Sequence, residues 1–167
     1  VSFMRMFDTM TEVVKQGGKR RGALLGLLDI DHKDVGKFIA CKSEEGILSN
    51  FNVSVGISDE FMYKVKAKDS ASTALWNKII EGAYNNGEPG VLFTTTINSG
   101  NPVPHMVRIK SSNPCGEFLF IPYGCCNLGS INLASMVKDN DINWEKLDKT
   151  VRTAVRFLDD VMSVNWY

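Results

Sequence analysis

The sequence predicts an α/β fold with parallel strands, because short apolar runs alternate with segments that carry helical signals. The first two runs, residues 23–28 and 53–57, are short and mostly apolar, as strands buried on both faces of a sheet are. A third run, residues 91–95, follows the pair Pro89-Gly90, which is typical of a turn. Parallel pairing follows, since a helix between two strands returns the chain to the same edge of the sheet.

Three internal helices are expected from the residues that precede them. Asp31 is placed to cap a helix over residues 32–40, and Ser58 is placed to cap the next helix. Ser70 precedes a third helix over residues 71–85. Side-chain oxygens at such positions accept hydrogen bonds from backbone N–H groups that the first helical turn leaves unpaired.

Helical periodicity reaches both ends of the chain. Apolar residues recur at helical spacing between residues 3 and 14, and an apolar stripe runs between residues 144 and 162. Residue 1 is not Met, and the chain stops directly after the stripe. We therefore expect an internal piece of a larger protein, with an exposed apolar face that drives association with itself or with another chain.

Composition narrows the class of protein. The 167 residues are 44% hydrophobic and 23% charged, which is typical of a globular domain. The 19 basic and 19 acidic residues give a formal net charge of zero, which argues against nucleic acid or an anionic membrane as the main partner. The sequence has neither an apolar run long enough to span a membrane nor a targeting segment. Its four cysteines are expected to be reduced thiols in the cytoplasm.

The stretch from residue 89 to residue 137 differs from the rest of the chain. Its only charged side chains are Arg108, Lys110 and Glu117. It also holds three of the four cysteines, and four of the five prolines follow the third predicted strand within it. Because exposed loops normally carry charge, we expect this stretch to be buried against another surface.

At the centre of the stretch lies the segment Asn113-Pro114-Cys115-Gly116-Glu117. If it is extended, the side chains of Asn113, Cys115 and Glu117 lie on one face. Burial would then raise the pKa of Glu117 and suit it to proton transfer. The alternative is a structural cysteine in a loop next to a surface glutamate.

A second thiol segment contains Cys125 and Cys126. A zinc site is not expected, because structural zinc needs four ligands at paired spacing and neither His32 nor His105 has such a partner. A dithiol redox pair fits better, although a disulfide between adjacent cysteines would be strained. The spacing alone does not identify the partner of either thiol.

Two motifs carry a resemblance to a known family. Residues 113–117 read Asn-Pro-Cys-Gly-Glu, and residues 126–133 read Cys-Asn-Leu-Gly-Ser-Ile-Asn-Leu. Together they resemble the active-site signature of the catalytic (large) chain of ribonucleotide reductases, and most closely the class II, adenosylcobalamin-dependent type. Further segments match in the same order along the chain: residues 16–23, 29–34, 50–55, 89–93 and 154–161.

The resemblance implies a fold and a domain organisation. The family fold is an α/β barrel of ten strands in two parallel halves, with a central active-site loop, and residues 1–167 would be a single fragment holding about half of it. The active-site cysteine loop would span residues 111–133, and the effector specificity loop residues 16–23. That loop includes Gln16, Gly17, Gly18, Lys19, Arg20 and Arg21. Without the resemblance, its basic residues would be interpreted as a solvated turn.

The resemblance also implies roles for four residues. Cys115 matches the cysteine that becomes a thiyl radical and abstracts the ribose 3′-hydrogen. Glu117 matches the carboxylate that takes the 3′-hydroxyl proton, and Asn113 matches the amide that binds the substrate. Cys126 matches one thiol of the pair that reduces the 2′ position. A dry pocket suits such radical chemistry, and a charge-poor loop would provide one.

The sequence departs from the family at three positions. Gly124 and Cys125 stand where an acidic and a small polar residue are common, and Phe118 stands where many relatives carry Gln. Cys125 is thus an additional thiol without an implied role. Adjacent side chains of an extended stretch point to opposite faces, so only one of the two thiols is expected to share the pocket with Cys115. Because Cys126 matches the redox thiol of the family, the resemblance implies that it is Cys126, with Cys125 packed as a small apolar residue.

The implied partners are a ribonucleotide substrate, dNTP or ATP effectors, a thioredoxin-type dithiol reductant, and a second copy or a complementing chain. Adenosylcobalamin is the implied cofactor, and its binding region would lie outside this chain. The activity would be reduction of ribonucleotides to 2′-deoxyribonucleotides for DNA synthesis, with the fragment itself inactive. Two alternatives remain: a class I large chain that needs a separate radical subunit, and a non-catalytic truncated module.

Overall fold

The computed structural model describes residues 1–14 and 21–165. The chain forms two compact units, Val1–Gly124 and Cys125–Tyr167. Among the described residues, no helix combines the length and the apolar character that crossing a membrane requires.

The first unit contains a parallel sheet and five helices within its described residues. In chain order its elements are α1 (Met4–Val13), β1 (Leu24–Asp29), α2 (Val35–Ile39), β2 (Phe51–Ile57), α3 (Asp59–Lys66), α4 (Ser70–Asn86), β3 (Gly90–Phe93), α5 (Thr94–Ser99), β4 (Ser111–Ser112) and β5 (Leu119–Phe120).

The sheet confirms the three predicted parallel strands. Its order is β1-β2-β3, so that β2 is central. Leu24 lies opposite Phe51, and Gly90 lies opposite Ser54. β3 therefore begins three residues after the start of β2, and the first residues of β2 have a strand on one side only.

The core of the first unit lies around β2. Val55 and Ile57 have no exposed surface, because the central strand is covered on both faces. Phe61 of α3 and Ile79 of α4 are 5% and 2% exposed in the same cluster. Burial of such side chains contributes about 1.5–3 kcal/mol each relative to exposure.

Two helix starts are close to expectation, and one of them has a different cap. Ser58 caps α3 as predicted, since its Oγ accepts a hydrogen bond from the Phe61 amide at 3.2 Å. α4 begins one residue earlier than predicted and is capped by Asp69, not by Ser70. The Asp69 Oδ2 accepts from the Ser72 amide at 2.8 Å. A carboxylate is the stronger acceptor at the positive end of a helix.

The helix predicted over residues 32–40 is shorter than expected. α2 starts at Val35, and Asp31 does not cap it, since the residue before the helix is Asp34. A turn precedes the helix, because the His32 Nδ1 accepts a hydrogen bond from the Asp34 amide at 3.1 Å. The imidazole bonds to the residue before the helix and not to an amide of its first turn, so it does not replace the expected cap.

The third strand is also shorter than expected. It ends at Phe93, and the threonines expected at its end form the first turn of α5. The Thr94 Oγ1 donates to the Ile57 carbonyl at 3.2 Å, and the Thr95 Oγ1 accepts from the Asp59 amide at 3.1 Å. These two bonds tie the end of β3 to the end of β2 and turn the chain into a helix.

The second unit is built around one long helix. A short 3-10 helix (Leu133–Met136) leads into the antiparallel pair β6 (Val137–Lys138) and β7 (Asp141–Ile142), which is followed by α6 (Trp144–Val164). Asn143 caps α6, because its Oδ1 accepts from the Lys146 amide at 3.0 Å. The predicted last helix is confirmed.

Both terminal helices expose apolar side chains, as expected. On α1 the exposed fraction is 69% for Met6 and 77% for Val13. On α6 it is 61% for Val155 and 65% for Phe157. Association through these faces stays a prediction.

Candidate active site

Residues 113–118, called the cysteine loop from here on, lie at the tip of a short antiparallel hairpin formed by β4 and β5. The Asn113 amide donates to the Phe118 carbonyl, and the Phe118 amide donates to the Asn113 Oδ1, each at 3.0 Å. These bonds bring the two ends of residues 113–118 together. The prediction of an extended segment is therefore wrong.

A tight turn inside the loop explains why a glycine follows the cysteine. The Gly116 amide donates to the Asn113 carbonyl at 3.0 Å, and Gly116 has φ +85°. A Cβ at Gly116 would meet nothing within 4 Å. The turn thus needs glycine for its backbone conformation and not for space.

The turn separates the three predicted site residues. In a hairpin loop the alternation of an extended strand does not apply, so a shared face does not follow. Asn113 is half-buried with its Oδ1 engaged by Phe118, whereas Cys115 and Glu117 are exposed. Burial of this stretch, and of Glu117 with it, against another surface stays a prediction. Asn113 closes the loop, and Cys115 exposes its thiol.

A cavity of about 400 Å³ lies beside the loop. On one side it is lined by residues 114–116, and on the other by the amino-terminal ends of β2 and β3. Cys115 is a lining residue, whereas Asn113 and Glu117 are not. The structure therefore brings the thiol, but not the amide or the carboxylate, to this cavity.

A polar network holds the wall of the cavity at β2. The Glu88 carboxylate pairs with the Lys42 Nζ at 2.7 Å, and their side chains are only 23% and 18% exposed. The Glu88 Oε2 accepts from the Val53 amide at 3.1 Å, and the Lys42 Nζ donates to the Phe51 carbonyl. The pair thus satisfies backbone groups of β2 that have no partner strand on that side.

One direct bond joins the wall to the cysteine loop. The Asn52 Nδ2 donates to the Pro114 carbonyl at 2.9 Å, across 62 residues of sequence. Sequence reasoning missed Asn52, Lys42 and Glu88 as site residues. The only local signal concerned Asn52, which lies in segment 50–55, one of the segments that resemble the family. That resemblance gave Asn52 no role.

The remaining thiol of the first unit lies near the same network. Cys41 is half-buried and forms no disulfide. Burial raises the pKa of the Cys41 thiol, and the nearby Glu88 carboxylate raises it further. A thiol of this kind is less reactive than an exposed one at neutral pH.

The family of the chain follows from a match over its whole length. A family model described as the ribonucleotide reductase barrel domain matches residues 1–74 and 68–167. The chain belongs to the ribonucleotide reductase barrel-domain family.

Two curated relatives of the family align with nearly the whole chain. The vitamin B12-dependent ribonucleoside-diphosphate reductase of Thermoplasma acidophilum is 45% identical over 182 residues, covering 99% of this chain and 24% of that protein. The protein of the same name from Mycobacterium tuberculosis (strain CDC 1551) is 41% identical over 183 residues, covering 100% of this chain and 26% of that protein. The chain thus spans about a quarter of the length of these relatives.

A solved structure of a family member has a similar fold. The alpha subunit of the class Id ribonucleotide reductase of Actinobacillus ureae matches with a TM-score of 0.60 and 25% identity. The match covers 68% of this chain and 22% of that chain. The prediction that this chain forms part of the reductase-type α/β barrel is confirmed.

The second thiol segment of the reductase signature lies in the second unit. Cys125 and Cys126 are both exposed and form no disulfide. The expectation that Cys125 packs as a small apolar residue is wrong, since nothing in the described part of its unit covers it. Asn127 is held, because its Nδ2 donates to the Leu158 carbonyl at 3.1 Å. Which of the two thiols faces Cys115 stays a prediction.

The structure describes only part of the segment predicted to be the effector specificity loop. Gln16, Gly17, Gly18, Lys19 and Arg20 lie outside the described residues. Arg21 is described, and its Nη2 donates to the Asn50 Oδ1 at 3.2 Å. The same Asn50 donates from its backbone amide to the Asp8 Oδ1 at 2.9 Å, so that Arg21 is linked through Asn50 to α1.

Within residues 1–14 and 21–165, no group of three or more His, Cys, Asp or Glu residues is placed to hold a metal ion.

Proposed function

We propose that this chain is the part of a class II ribonucleotide reductase catalytic subunit that carries the radical cysteine. The observation that carries the proposal is the position of Cys115. It is exposed, it lines a cavity of about 400 Å³, and it lies in the Asn-Pro-Cys-Gly-Glu loop of a chain from this family. A thiol that must reach a substrate has to be accessible in this way.

Cys115 would start the reaction as a thiyl radical. Its sulfur takes the hydrogen atom from the ribose C3′, so that an S–H bond forms and the C3′–H bond breaks. Glu117 accepts the proton of the 3′-hydroxyl as the 2′-hydroxyl leaves as water. Asn113 binds the substrate through its amide nitrogen, because its Oδ1 is already engaged by the Phe118 amide.

Cys126 would supply reducing electrons. Cys126 and a second thiol outside this chain are oxidised to a disulfide while C2′ is reduced, and one thiol proton leaves in the water molecule. Cys115 then returns a hydrogen atom to C3′ and recovers the radical, and Glu117 returns its proton to the 3′ oxygen, so that the 3′-hydroxyl is restored. A thioredoxin-type dithiol reduces the disulfide for the next turnover. Because the second thiol is not in this chain, we expect the chain alone to be inactive.

Adenosylcobalamin is the proposed cofactor, in line with the two curated relatives, which are vitamin B12-dependent enzymes by name. When bound, it supplies the radical equivalent that converts the Cys115 thiol into a thiyl radical. The exposure of Cys115 fits this, since a bulky group needs open access to the sulfur. None of the described residues is assigned to hold the cofactor.

The proposed ligands and setting follow from the same family membership. Ribonucleotides are the substrates, and dNTP or ATP effectors act through residues 16–21. The protein works in the cytoplasm as a homo-oligomer or with a complementing chain.

The proposal is tested in the full-length reductase that contains this chain. Cys115→Ser and Cys115→Ala should abolish nucleotide reduction, because neither side chain forms a usable thiyl radical. Glu117→Gln keeps the shape but not the base and should be severely impaired. Cys125→Ser is the matched exposed-thiol control and should keep turnover. Near-normal turnover by the Cys115 variants would overturn the proposal.

A class I enzyme is the second candidate, favoured by the fold likeness to a class Id alpha subunit. The full-length protein is assayed with adenosylcobalamin alone and with a separate radical-generating subunit alone. Turnover with adenosylcobalamin alone supports class II. Turnover only with the second subunit assigns class I, and turnover under neither condition favours a non-catalytic module.

A further inference from the structure

We propose that Asn52 is a positioning residue for Cys115 and acts by holding the Pro114 carbonyl. The inference deepens the proposed function and rests on it. Asn52 does not touch the reacting atoms in this account. It sets where the cysteine loop stands against the cavity.

The contact itself is specific. The Asn52 Nδ2 donates to the Pro114 carbonyl at 2.9 Å, which is a well-formed hydrogen bond. That carbonyl belongs to the peptide unit that also contains the Cys115 nitrogen. Because a peptide unit is planar and rigid, fixing the Pro114 oxygen restricts the position of the Cys115 backbone.

The loop has one such tie to the sheet among the side-chain hydrogen bonds of the described residues. Its other bonds are internal, since Asn113 pairs with Phe118 and the Gly116 amide donates to the Asn113 carbonyl. Internal bonds define the shape of the loop but not its placement. Asn52 therefore contributes what the hairpin alone lacks, a fixed point on the central strand.

Asn52 is well suited to be that fixed point. Its neighbours Phe51 and Val53 are 6% and 2% exposed, so the backbone on both sides of it is packed in the core. Lys42 and Glu88 hold the same two neighbours through the Phe51 carbonyl and the Val53 amide. The Asn52 side chain alternates to the other, exposed face of the strand, and Asn52 is one of the residues that line the cavity.

A positioning role predicts a loss of rate that exceeds the loss of stability. Asn52 is exposed, so the loss of one neutral hydrogen bond there changes folding little. A misplacement of about 1 Å, in contrast, costs about 100-fold in the rate of a reaction that depends on geometry. We expect a fall of at least about tenfold in kcat, with KM within about twofold, since substrate contacts elsewhere are kept.

The experiment uses the full-length reductase with two variants and one control. Asn52→Ala removes the side-chain donor, and Asn52→Asp keeps the shape but turns the donor into an acceptor that faces a carbonyl oxygen. Ser99→Ala is the control, because Ser99 is also exposed and its side chain also donates to a backbone carbonyl, that of Thr96, at 2.7 Å. Ser99 neither lines the cavity nor bonds to Lys42 or Glu88.

Two readouts are measured on each protein: kcat and KM for the ribonucleotide, and amide hydrogen exchange of peptides that cover residues 111–120. Both Asn52 variants should lower kcat at least about tenfold and speed exchange in the loop, while Ser99→Ala does neither. If Asn52→Ala does not fold, the isosteric Asn52→Asp decides. A kcat within about twofold of wild type in Asn52→Asp overturns the inference, as does an equal loss in Ser99→Ala.

Cys115→Ser, assayed alongside, separates this inference from the proposed function. If Cys115→Ser is inactive and the Asn52 variants turn over like wild type, only the positioning role fails. If Cys115→Ser stays active, the proposed function fails. In that case, hydrogen exchange still tests whether Asn52 holds the cysteine loop. Unchanged exchange in both Asn52 variants would overturn the positioning role too.

Discussion

Asn113 and Phe118 close the cysteine loop through two hydrogen bonds of 3.0 Å, one between backbone groups and one from the Phe118 amide to the Asn113 Oδ1. The residue that the family motif places on the substrate thus also shapes the loop. The side-chain oxygen of Asn113 closes the loop, and its side-chain nitrogen is the group proposed to bind the substrate. Substitutions can separate these two roles.

Asn113→Asp should keep the loop closed but impair substrate binding. A carboxylate still accepts the Phe118 amide, whereas the amide donors are lost. Asn113→Ala should lose both and cost about 1 kcal/mol of stability. Hydrogen exchange of the Phe118 amide reports closure, and KM in the full-length reductase reports binding. Equal exchange rates in Asn113→Asp and Asn113→Ala would contradict the division of tasks.

Gly116→Ala should destabilise the first unit by about 1–2 kcal/mol, because Gly116 has φ +85°, where a Cβ is strained. Gly36→Ala in α2 is the control. A Cβ there also meets nothing within 4 Å, but its backbone is helical, so the change should stabilise by about 0.5–1 kcal/mol. Urea unfolding measures both. A stabilised Gly116→Ala would show that the turn does not depend on glycine.

Glu88→Gln should destabilise the first unit by about 1–3 kcal/mol. It leaves the half-buried Lys42 ammonium without its counter-charge, next to the start of β2. Glu60→Gln is the matched control: Glu60 pairs with Lys64 at 3.0 Å, but on the surface, and its loss should cost less than about 0.5 kcal/mol. Chemical denaturation of the two variants compares them, and similar losses would refute the role given to Glu88.

Stability should fall at acid pH through Asp69. The Ser72 backbone N–H and the Ser72 hydroxyl donate to this carboxylate and hold its pKa below the usual range. A group whose pKa is lowered by folding stabilises the fold above its unfolded pKa of about 3.9, and that contribution is lost as the pH falls through the lower folded value. Asp69→Asn keeps the cap without the charge and should flatten this part of the profile. Urea midpoints measured as a function of pH decide; identical profiles for wild type and Asp69→Asn would exclude Asp69 as the cause.

Cys126→Ser should stop multiple turnover in the full-length reductase, because the reducing disulfide cannot form. The radical chemistry at Cys115 can still begin once per active site. Cys125→Ser should keep turnover and cost little stability, since Cys125 is exposed. Product formed per active site under a dithiol reductant is the measurement. An inactive Cys125→Ser together with an active Cys126→Ser would exchange the roles of the two thiols.

Local patterns in the sequence were sufficient for much of the fold. The three parallel strands, the long helix α6 and the Ser58 cap were predicted from apolar runs, periodicity and one side-chain oxygen. Each of these depends on residues within a few positions of one another. The motifs around Cys115 and Cys126, together with the further segments that match in the same order, likewise pointed to the family without any tertiary contact.

It was harder to predict which of two neighbouring polar side chains caps a helix. Asp69 and Ser70 are both capping residues, and Asp31 and Asp34 both precede α2. The pattern does not say which oxygen has the better geometry. In the structure Asp69 bonds to the Ser72 amide, and the His32 ring takes the Asp34 amide.

The sequence by itself determined that this chain is α/β and which cysteines are candidate site residues; tertiary structure decided how Cys115 is presented. The loop is a closed turn, because Asn113 and Phe118 find each other once β4 and β5 pair. Its place beside the cavity depends on Asn52, whose partner Pro114 is 62 residues away. Contacts over such separations form only when the packing of the sheet brings the two segments together, and no local pattern encodes that distance.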